Sequence, residues 1–209
     1  MKTNPLLHDF SYEEINKNHE VSVSRNLLYK EHGIDNPGLR KSLIQLVQPG
    51  CSSLLEIGTG KGYLAAMLGG LPCPVVTLDM ESDFKRIAML NAAYCNNFHN
   101  IEFITADAGR MDFEDMSFDT VVSQFAFHHF ELPFKVIREM ARVAEKHIII
   151  SDFNEKGFEA VERVHNSEGR THERMPGDFS IVGVFLKEHN FDVTVIEEKW
   201  QTIYSAKRI

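Results

Sequence analysis

Residues 54–67, LLEIGTGKGYLAAM, constrain the fold of this chain more than any other stretch. An apolar run too short for a helix breaks into glycines at positions 58, 60 and 62, and a helix-compatible segment follows. Glycine suits such a turn because it adopts positive φ readily and lets a ligand approach the backbone. We therefore predict a strand, a tight turn and a helix whose first N–H groups favour an anion.

Two phosphate-binding motifs fit this turn poorly. Counted from Gly58, the dinucleotide fingerprint G-x-G-x-x-G needs a glycine where Tyr63 stands. Counted from Gly60, the form of the fingerprint that ends in alanine does fit, but it then begins late after the strand. A Walker A loop needs Ser or Thr after its lysine, but Gly62 follows Lys61. A nicotinamide-dependent oxidoreductase therefore remains as a disfavoured alternative.

The bulk composition predicts one soluble globular domain. The chain has 209 residues, of which 43% are apolar and 25% charged. Without a membrane-length apolar run or a signal-peptide pattern, a cytoplasmic protein without membrane contact is expected. A net charge of -8 without a basic segment disfavours nucleic acid as a partner. Three cysteines without C-x-x-C spacing indicate neither a disulfide framework nor a metal site. The oligomeric state stays open.

Strands alternate with helices along most of the chain. Residues 1–35 are predicted as a helical N-terminal extension with one or two short helices, followed by a helix that Pro49 and Gly50 end. Beyond the glycine turn the pattern predicts strands at 74–78, 101–105, 118–123 and 147–151, with helices at 84–94 and 134–143. Ser82 or Asp83 can cap the first of these helices, and the second has Val136, Ile137, Met140 and Val143 on one face. This alternation argues for a parallel sheet covered on both sides.

The C-terminal third departs from that alternation. Helices are predicted at 155–168 and 179–189, and residues 153–178 are interpreted as a substrate-side insertion. Strands at 191–197 and 200–206 are so close in sequence that only an antiparallel pair is possible. The predicted fold class is thus α/β: a single domain over residues 1–209, built as a Rossmann-like three-layer sandwich whose mostly parallel seven-stranded sheet ends in an antiparallel β-hairpin.

Acidic residues follow three successive predicted strands. Glu56, Asp79 and Asp107 each stand at a strand end, where ligands of open α/β sheets bind. The two oxygens of Asp79 suit the two hydroxyls of a ribose, and its charge would repel the extra phosphate of NADP. A structural role remains open for two of them, because Glu56 could accept N–H groups of the turn and Asp79 could cap a helix.

The E-x-G-x-G-x-G sequence, the strand-ending acids and the closing hairpin resemble the class I S-adenosylmethionine-dependent methyltransferases, in particular the small-molecule enzymes of type 11. The resemblance covers about residues 36–209. It implies S-adenosylmethionine as the cofactor, S-adenosylhomocysteine as its product, and in-line transfer of the methyl group to a small-molecule acceptor. The non-catalytic alternative is an S-adenosylmethionine-binding regulatory protein, whose binding residues would look the same.

The same resemblance assigns roles within the site. It implies that the glycine backbone holds the methionine part of the cofactor, that Glu56 opposes its ammonium group, and that Asp107 with Ala108 binds adenine. The full set of implied cofactor-binding residues is Glu56, Gly58, Thr59, Gly60, Gly62, Asp79, Met80, Asp107, Ala108, Ser123 and Gln124.

The segment S-Q-F-A-F-H-H after the fourth strand resembles the part of the family that lies beside the transferred methyl group. It lacks the N-P-P-Y of enzymes that methylate amino groups of nucleic acids and proteins, which favours a metabolite as acceptor. His128 or His129 is a candidate general base, and a histidine bonded to nearby backbone is an equal alternative for each. Adjacent histidines do not share a helix face, so a metal site made by this pair is not predicted.

A basic cluster interrupts the pattern after the fifth strand. It consists of Arg163, His165, Arg170, His172 and Arg174. Insertions at the ligand edge often select the substrate, so an anionic acceptor is one hypothesis and a solvated helix face is the other.

Overall fold

The computed structural model describes residues 9–171 and 177–209, so His172 and Arg174 of the basic cluster lie outside the described residues. The elements in chain order are α1 (Tyr12–Glu31), α2 (Asn36–Ile44), β1 (Leu54–Ile57), α3 (Tyr63–Leu68), β2 (Val75–Asp79), α4 (Lys85–Tyr94), β3 (Ile101–Thr105), β4 (Phe118–Gln124), α5 (Pro133–Val143), β5 (Ala144–Phe153), α6 (Glu155–Ser167), α7 (Ile181–Glu188), β6 (Phe191–Glu197) and β7 (Gln201–Arg208). Short 3-10 turns at Phe98–Asn100 and Phe127–His129 complete them.

The strands form a seven-stranded sheet in the order β3-β2-β1-β4-β5-β7-β6. The first five run parallel to one another, whereas β7 is antiparallel to both β5 and β6. The chain enters at β1, winds outward to β3, and then crosses back to β4. The prediction of a mostly parallel sheet ending in an antiparallel hairpin is confirmed.

Helices cover both faces of the sheet, which gives the three layers. On one face α5 and α7 pack on Leu55, Val121 and Ile148, and on the other α3 and α4 pack on Leu54 and Val122. Strand β4 is buried along its whole length because both of its faces are covered. The hydrophobic effect of this burial is what holds the strand ends, and therefore the site, in register.

Three elements differ from the sequence prediction. The N-terminal region forms one helix of 20 residues instead of one or two short ones, and Ser11 caps it by accepting the Glu14 N–H at 3.1 Å. Helix α4 has no side-chain cap, although Ser82 or Asp83 was expected to supply one. Strand β5 extends from residue 144 to residue 153, because it pairs with β4 and β7 beyond its apolar run.

The longer β5 includes Phe153, the first residue of the predicted insertion. Helix α6 follows directly, and residues 172–176 are not described. The division into an N-terminal extension, a methyltransferase domain and an insertion therefore stays a prediction. In the described part of the chain, no helix combines the length and apolar character needed to cross a bilayer.

Candidate functional site

The three strand-ending acids lie at one edge of the sheet. Glu56 is the third residue of β1, Asp79 ends β2, and Asp107 follows β3 by two residues. These strands are parallel neighbours, so their carboxyl ends face the same side. The structure thus brings together the acids that the sequence indicated.

The three glycines of the turn serve different purposes, although all have positive φ. A Cβ on Gly58 (φ 85°) would lie 2.4 Å from the Ala126 Cβ, and one on Gly62 (φ 72°) would lie 2.6 Å from the Ala88 Cα. These two glycines let the segment after β4 and helix α4 approach the turn. A Cβ on Gly60 (φ 47°) would meet no described atom within 4 Å. Gly60 is therefore the glycine whose missing side chain faces open space.

Asp79 connects this turn to the end of β2. Its Oδ2 accepts the Gly60 N–H at 2.7 Å, and its Oδ1 accepts the Glu81 N–H at 2.9 Å. Each carboxylate oxygen can accept a second bond, so these contacts leave capacity for a ligand hydroxyl. A small surface pocket beside it includes Thr59 and Thr105. Met80, the next residue along the chain, is 68% exposed.

Glu56 is a buried carboxyl beneath the turn, with only 1% of its surface exposed. Burial, with a smaller contribution from the nearby charge of Asp79, raises its pKa to about 8. The Thr77 hydroxyl opposes this shift by donating to Oε2 at 2.5 Å, and Arg40 opposes it through its charge. Thr59 extends the group, since its Oγ1 lies 2.6 Å from that of Thr77. An ammonium group nearby would favour the ionised form of Glu56.

Arg40 is a site residue that sequence reasoning missed. It is partly buried on α2, and its guanidinium lies 4.8 Å from the centroid of the Tyr63 ring at the start of α3. Burial lowers its pKa to about 10. Within the described parts of the chain it makes no hydrogen bond or ion pair, with Glu56 or any other residue. The available signal was an arginine next to the apolar stripe of the helix that precedes the glycine turn.

The predicted adenine pair lies beyond β3. Asp107 is exposed, and its Oδ1 accepts the Gly109 N–H at 2.7 Å, which fixes the turn. Ala108 is half-buried behind it. Binding of adenine by this pair stays a prediction.

Ser123 and Gln124 end β4 and are both buried. The Gln124 amide donates to the Leu39 carbonyl at 3.2 Å and to the Gln201 Oε1 at 3.1 Å, so both of its hydrogens are used between α2 and β7. The Ser123 hydroxyl has no hydrogen-bond partner among the described residues. Their role as cofactor ligands is not tested by these contacts.

The two histidines after β4 have different environments. His128 is 6% exposed, and its ring and backbone N–H both bond to Asp152, a buried residue of β5 that sequence reasoning also missed. His129 is exposed at the surface, and desolvation followed by the neighbouring His128 lowers its pKa. Phe125, in the same segment, has φ 55° and stacks on Phe153 at 3.9 Å. Strain of this kind is often found at functional sites.

The basic cluster is only partly assembled. His165 and Arg170 lie near Arg25 of α1 and Lys61 of the glycine turn, whereas Arg163 is exposed on α6. Glu168 forms ion pairs with Arg25 and Arg170. No local sequence pattern indicates that Arg25 or Lys61 joins this cluster, because they come from elements distant in the chain. Across the described residues, no group of three or more His, Cys, Asp or Glu side chains is arranged to hold a metal ion.

Comparison with known proteins agrees with this arrangement. A family model described as a methyltransferase domain matches residues 55–151, from β1 to near the end of β5. This match covers slightly less than half of the chain, and it makes the chain similar to the class I S-adenosylmethionine-dependent methyltransferases, whose fold it shares.

Individual relatives are distant. Demethylmenaquinone methyltransferase of Chlorobaculum tepidum is 32% identical over 116 residues, which are 53% of this chain and 46% of that protein. The chain spans between 36% and 62% of the length of three curated relatives that it matches.

Two solved structures share the fold. A SAM-dependent methyltransferase from Aquifex aeolicus has a TM-score of 0.61 at 21% identity and covers 81% of this chain and 88% of its own. Magnesium protoporphyrin IX methyltransferase from Synechocystis PCC 6803, solved with bound SAH, has a TM-score of 0.60 at 18% identity. The match covers 96% of this chain and 88% of that protein chain.

Proposed function

We propose that the chain transfers a methyl group from S-adenosylmethionine to a small-molecule acceptor by in-line displacement. The observation that carries this proposal is the buried Glu56 carboxyl and the Arg40 guanidinium beside the glycine turn. The two groups influence each other electrostatically but do not form an ion pair. Burial disfavours the charged form of each group, and the ammonium and carboxylate of a zwitterionic amino acid would supply each with an opposite charge.

The residues present fit the cofactor in three places. In this proposal the ammonium of the methionine part faces Glu56, and its carboxylate faces the guanidinium of Arg40, which suits bidentate binding. Gly60 gives the ligand access to the backbone, and Asp79 accepts from the ribose. Asp107 and Ala108 would hold the adenine.

When bound, the cofactor supplies a methyl group that is already electrophilic because it is attached to a sulfonium. The protein then mainly aligns the acceptor and excludes water, which can contribute up to about 7 to 11 kcal/mol. For an acceptor that must lose a proton, His128 is our candidate base, with Asp152 holding its ring. Two similar proteins are named as methyltransferases of demethylmenaquinone and of magnesium protoporphyrin IX. Both of these compounds are small molecules, which supports a small-molecule acceptor for this chain.

Calorimetric titration tests the cofactor site without knowledge of the acceptor. Wild type is expected to bind S-adenosylhomocysteine and not NAD. Arg40→Met should weaken S-adenosylhomocysteine binding by about tenfold or more, because a charged hydrogen bond is lost. Binding of 5′-methylthioadenosine, which lacks the amino acid, should not change.

Lys41→Met is the matched control, because Lys41 is exposed on the same helix. If Arg40→Met binds both ligands as tightly as wild type does, the role of Arg40 is contradicted. If wild type does not bind S-adenosylhomocysteine, the proposed function is contradicted. Transfer of label from methyl-labelled S-adenosylmethionine to a metabolite extract separates an enzyme from a regulatory binding protein. The cytoplasmic location and the absence of nucleic acid as a partner stay predictions.

A further inference from the structure

Positive side chains from separate elements meet on the outer side of the glycine turn. Arg25 of α1 and Arg170, which follows α6, form ion pairs with the same carboxylate, Glu168. The Arg25 guanidinium also lies 5.0 Å from the Tyr29 ring centroid and donates to the Tyr29 hydroxyl at 3.3 Å. That hydroxyl is 3.4 Å from the His165 Nε2. The two arginines are therefore held in place by contacts with their neighbours.

Lys61 adds a third positive charge from within the turn itself. Its ammonium lies 5.7 Å from the Phe84 ring centroid, and its backbone carbonyl accepts from the Asn91 side chain at 2.7 Å. Burial lowers the pKa of Lys61, and Arg25 and Arg170 lower it further while Glu168 opposes them. The charges of both arginines and of Glu168 thus act on Lys61.

The excess charge is unusual for this chain. Among the described residues, Arg25, Lys61 and Arg170 bring three positive charges to this region against the one negative charge of Glu168, whereas the whole chain has a net charge of -8. Arg25 and Arg170 share one carboxylate, and Lys61 belongs to the glycine turn itself. An anion placed among them would remove the repulsion, and guanidinium groups bind carboxylate and phosphate oxygens in pairs.

We propose that the methyl acceptor carries a carboxylate or phosphate group, and that Arg25, Lys61 and Arg170 bind this group while the rest of the acceptor reaches the methyl-transfer site. The inference rests on the proposed function, because it takes the neighbouring turn as the cofactor site. The cofactor's own carboxylate is assigned to Arg40, so the two anion sites are distinct.

An NMR titration of the full chain saturated with S-adenosylhomocysteine tests the site directly. Sodium phosphate and sodium acetate are added against sodium chloride of equal ionic strength. Saturable shifts are expected at the amides of residues 25, 61 and 168–170 in wild type, and binding at least about tenfold weaker is expected in Lys61→Met/Arg170→Gln. Arg163→Gln removes one exposed charge from α6 and should behave as wild type. Shifts that do not saturate, or that the double variant retains, overturn the proposal.

A second experiment assigns the anion to the acceptor. A metabolite extract is divided by anion exchange, and each pool is incubated with the protein and methyl-labelled S-adenosylmethionine. Labelled product is expected from the retained pool, with at least about tenfold less product when Lys61→Met/Arg170→Gln replaces wild type. Phosphatase treatment of the pool abolishes labelling if the group is a phosphate and leaves it intact if the group is a carboxylate.

Labelled product from the unretained pool alone, or none from the retained pool, overturns this inference. Binding of S-adenosylhomocysteine distinguishes the two failures. If wild type and the double variant bind it equally, only the acceptor inference fails; if wild type does not bind it, the proposed function fails as well.

Discussion

The Nδ1 of His128 lies 2.7 Å from the Oδ1 of Asp152, and both side chains are almost completely buried. The same carboxylate accepts the backbone N–H groups of His128 and Phe153, each at 2.8 Å. Three donors converging on one carboxyl group favour its role as an acceptor, so the ring hydrogen is assigned to Nδ1 and the lone pair to Nε2. Asp152 therefore joins the segment after β4 to the end of β5.

Replacing Asp152 should be strongly destabilising. In Asp152→Asn only one accepting oxygen remains, so at least one buried N–H donor faces an amide NH2 group and loses its acceptor. We expect the free energy of unfolding to fall by about 3 kcal/mol, measured by urea denaturation at neutral pH. Asp112→Asn, at an exposed position, is the control and should change it little. A loss below about 1 kcal/mol in Asp152→Asn would contradict the geometry.

The glycine turn should separate stability from ligand binding. Gly62→Ala would place a methyl group against the Ala88 backbone, so it should lower the free energy of unfolding by about 2 to 3 kcal/mol. Gly60→Ala has open space and incurs only the strain of positive φ, about 1 kcal/mol. Calorimetry should nevertheless show that Gly60→Ala binds S-adenosylhomocysteine at least about tenfold more weakly. Unchanged affinity would mean that no ligand approaches this face of the turn.

Glu56 should make stability decrease with rising pH. Its pKa in the folded protein is raised from 4.5 to about 8, so the folded state retains a proton that the unfolded state loses. Its contribution to the free energy of unfolding is therefore present below about pH 4 and is lost as the pH rises through about 8. We expect wild type to lose up to about 4 kcal/mol more than Glu56→Gln between about pH 5 and pH 8 in urea denaturation.

The variant Glu56→Gln should at the same time bind S-adenosylhomocysteine more weakly, because a neutral amide attracts an ammonium group less strongly than a carboxylate does. Parallel stability curves for wild type and variant across this pH range would show that Glu56 does not hold the proton.

His147 should act in the opposite direction. It is buried between β5 and β7, with its Nε2 2.8 Å from the Ser205 Oγ, and burial followed by the charge of Lys207 lowers its pKa to about 4. Its contribution is present above about pH 6.5 and is lost as the pH falls through about 4. Between these values wild type should lose about 2 to 3 kcal/mol more than His147→Gln in urea denaturation. His99 is exposed, and the control variant His99→Gln should lose as much free energy of unfolding over this pH range as wild type does.

The sequence predicted the sheet and its ligand edge because both depend on local pattern. Glycine spacing identified the turn around Gly60, and the alternation of apolar strands with amphipathic helices ordered the acids Glu56, Asp79 and Asp107 along one edge. In α5 the predicted buried positions Val136, Ile137, Met140 and Val143 are all buried. Local periodicity is enough for such assignments.

Arg40 and Asp152 were not predictable in the same way. Arg40 reaches the site because its guanidinium lies over the Tyr63 ring at the start of α3, and its place beside the apolar stripe of α2 does not predict that contact. Asp152 follows the apolar run that marks β5, and it belongs to the strand because β7 pairs with it there. The meeting of Arg25 with Lys61 depends on the path of α1 across the domain. Contacts between distant elements carry no signal in a single sequence.

The position of β7 has a consequence for how the protein is made. It is the last of the seven strands to be synthesised, yet it lies between β5 and β6. A ribosome-bound chain that lacks residues 201–208 therefore presents the long edge of β5 without its neighbour, and open edges of this kind favour pairing between nascent chains. The sheet is complete only after β7 has joined it, so chaperone demand and aggregation during expression should depend on how quickly residues 201–208 follow β5 out of the ribosome.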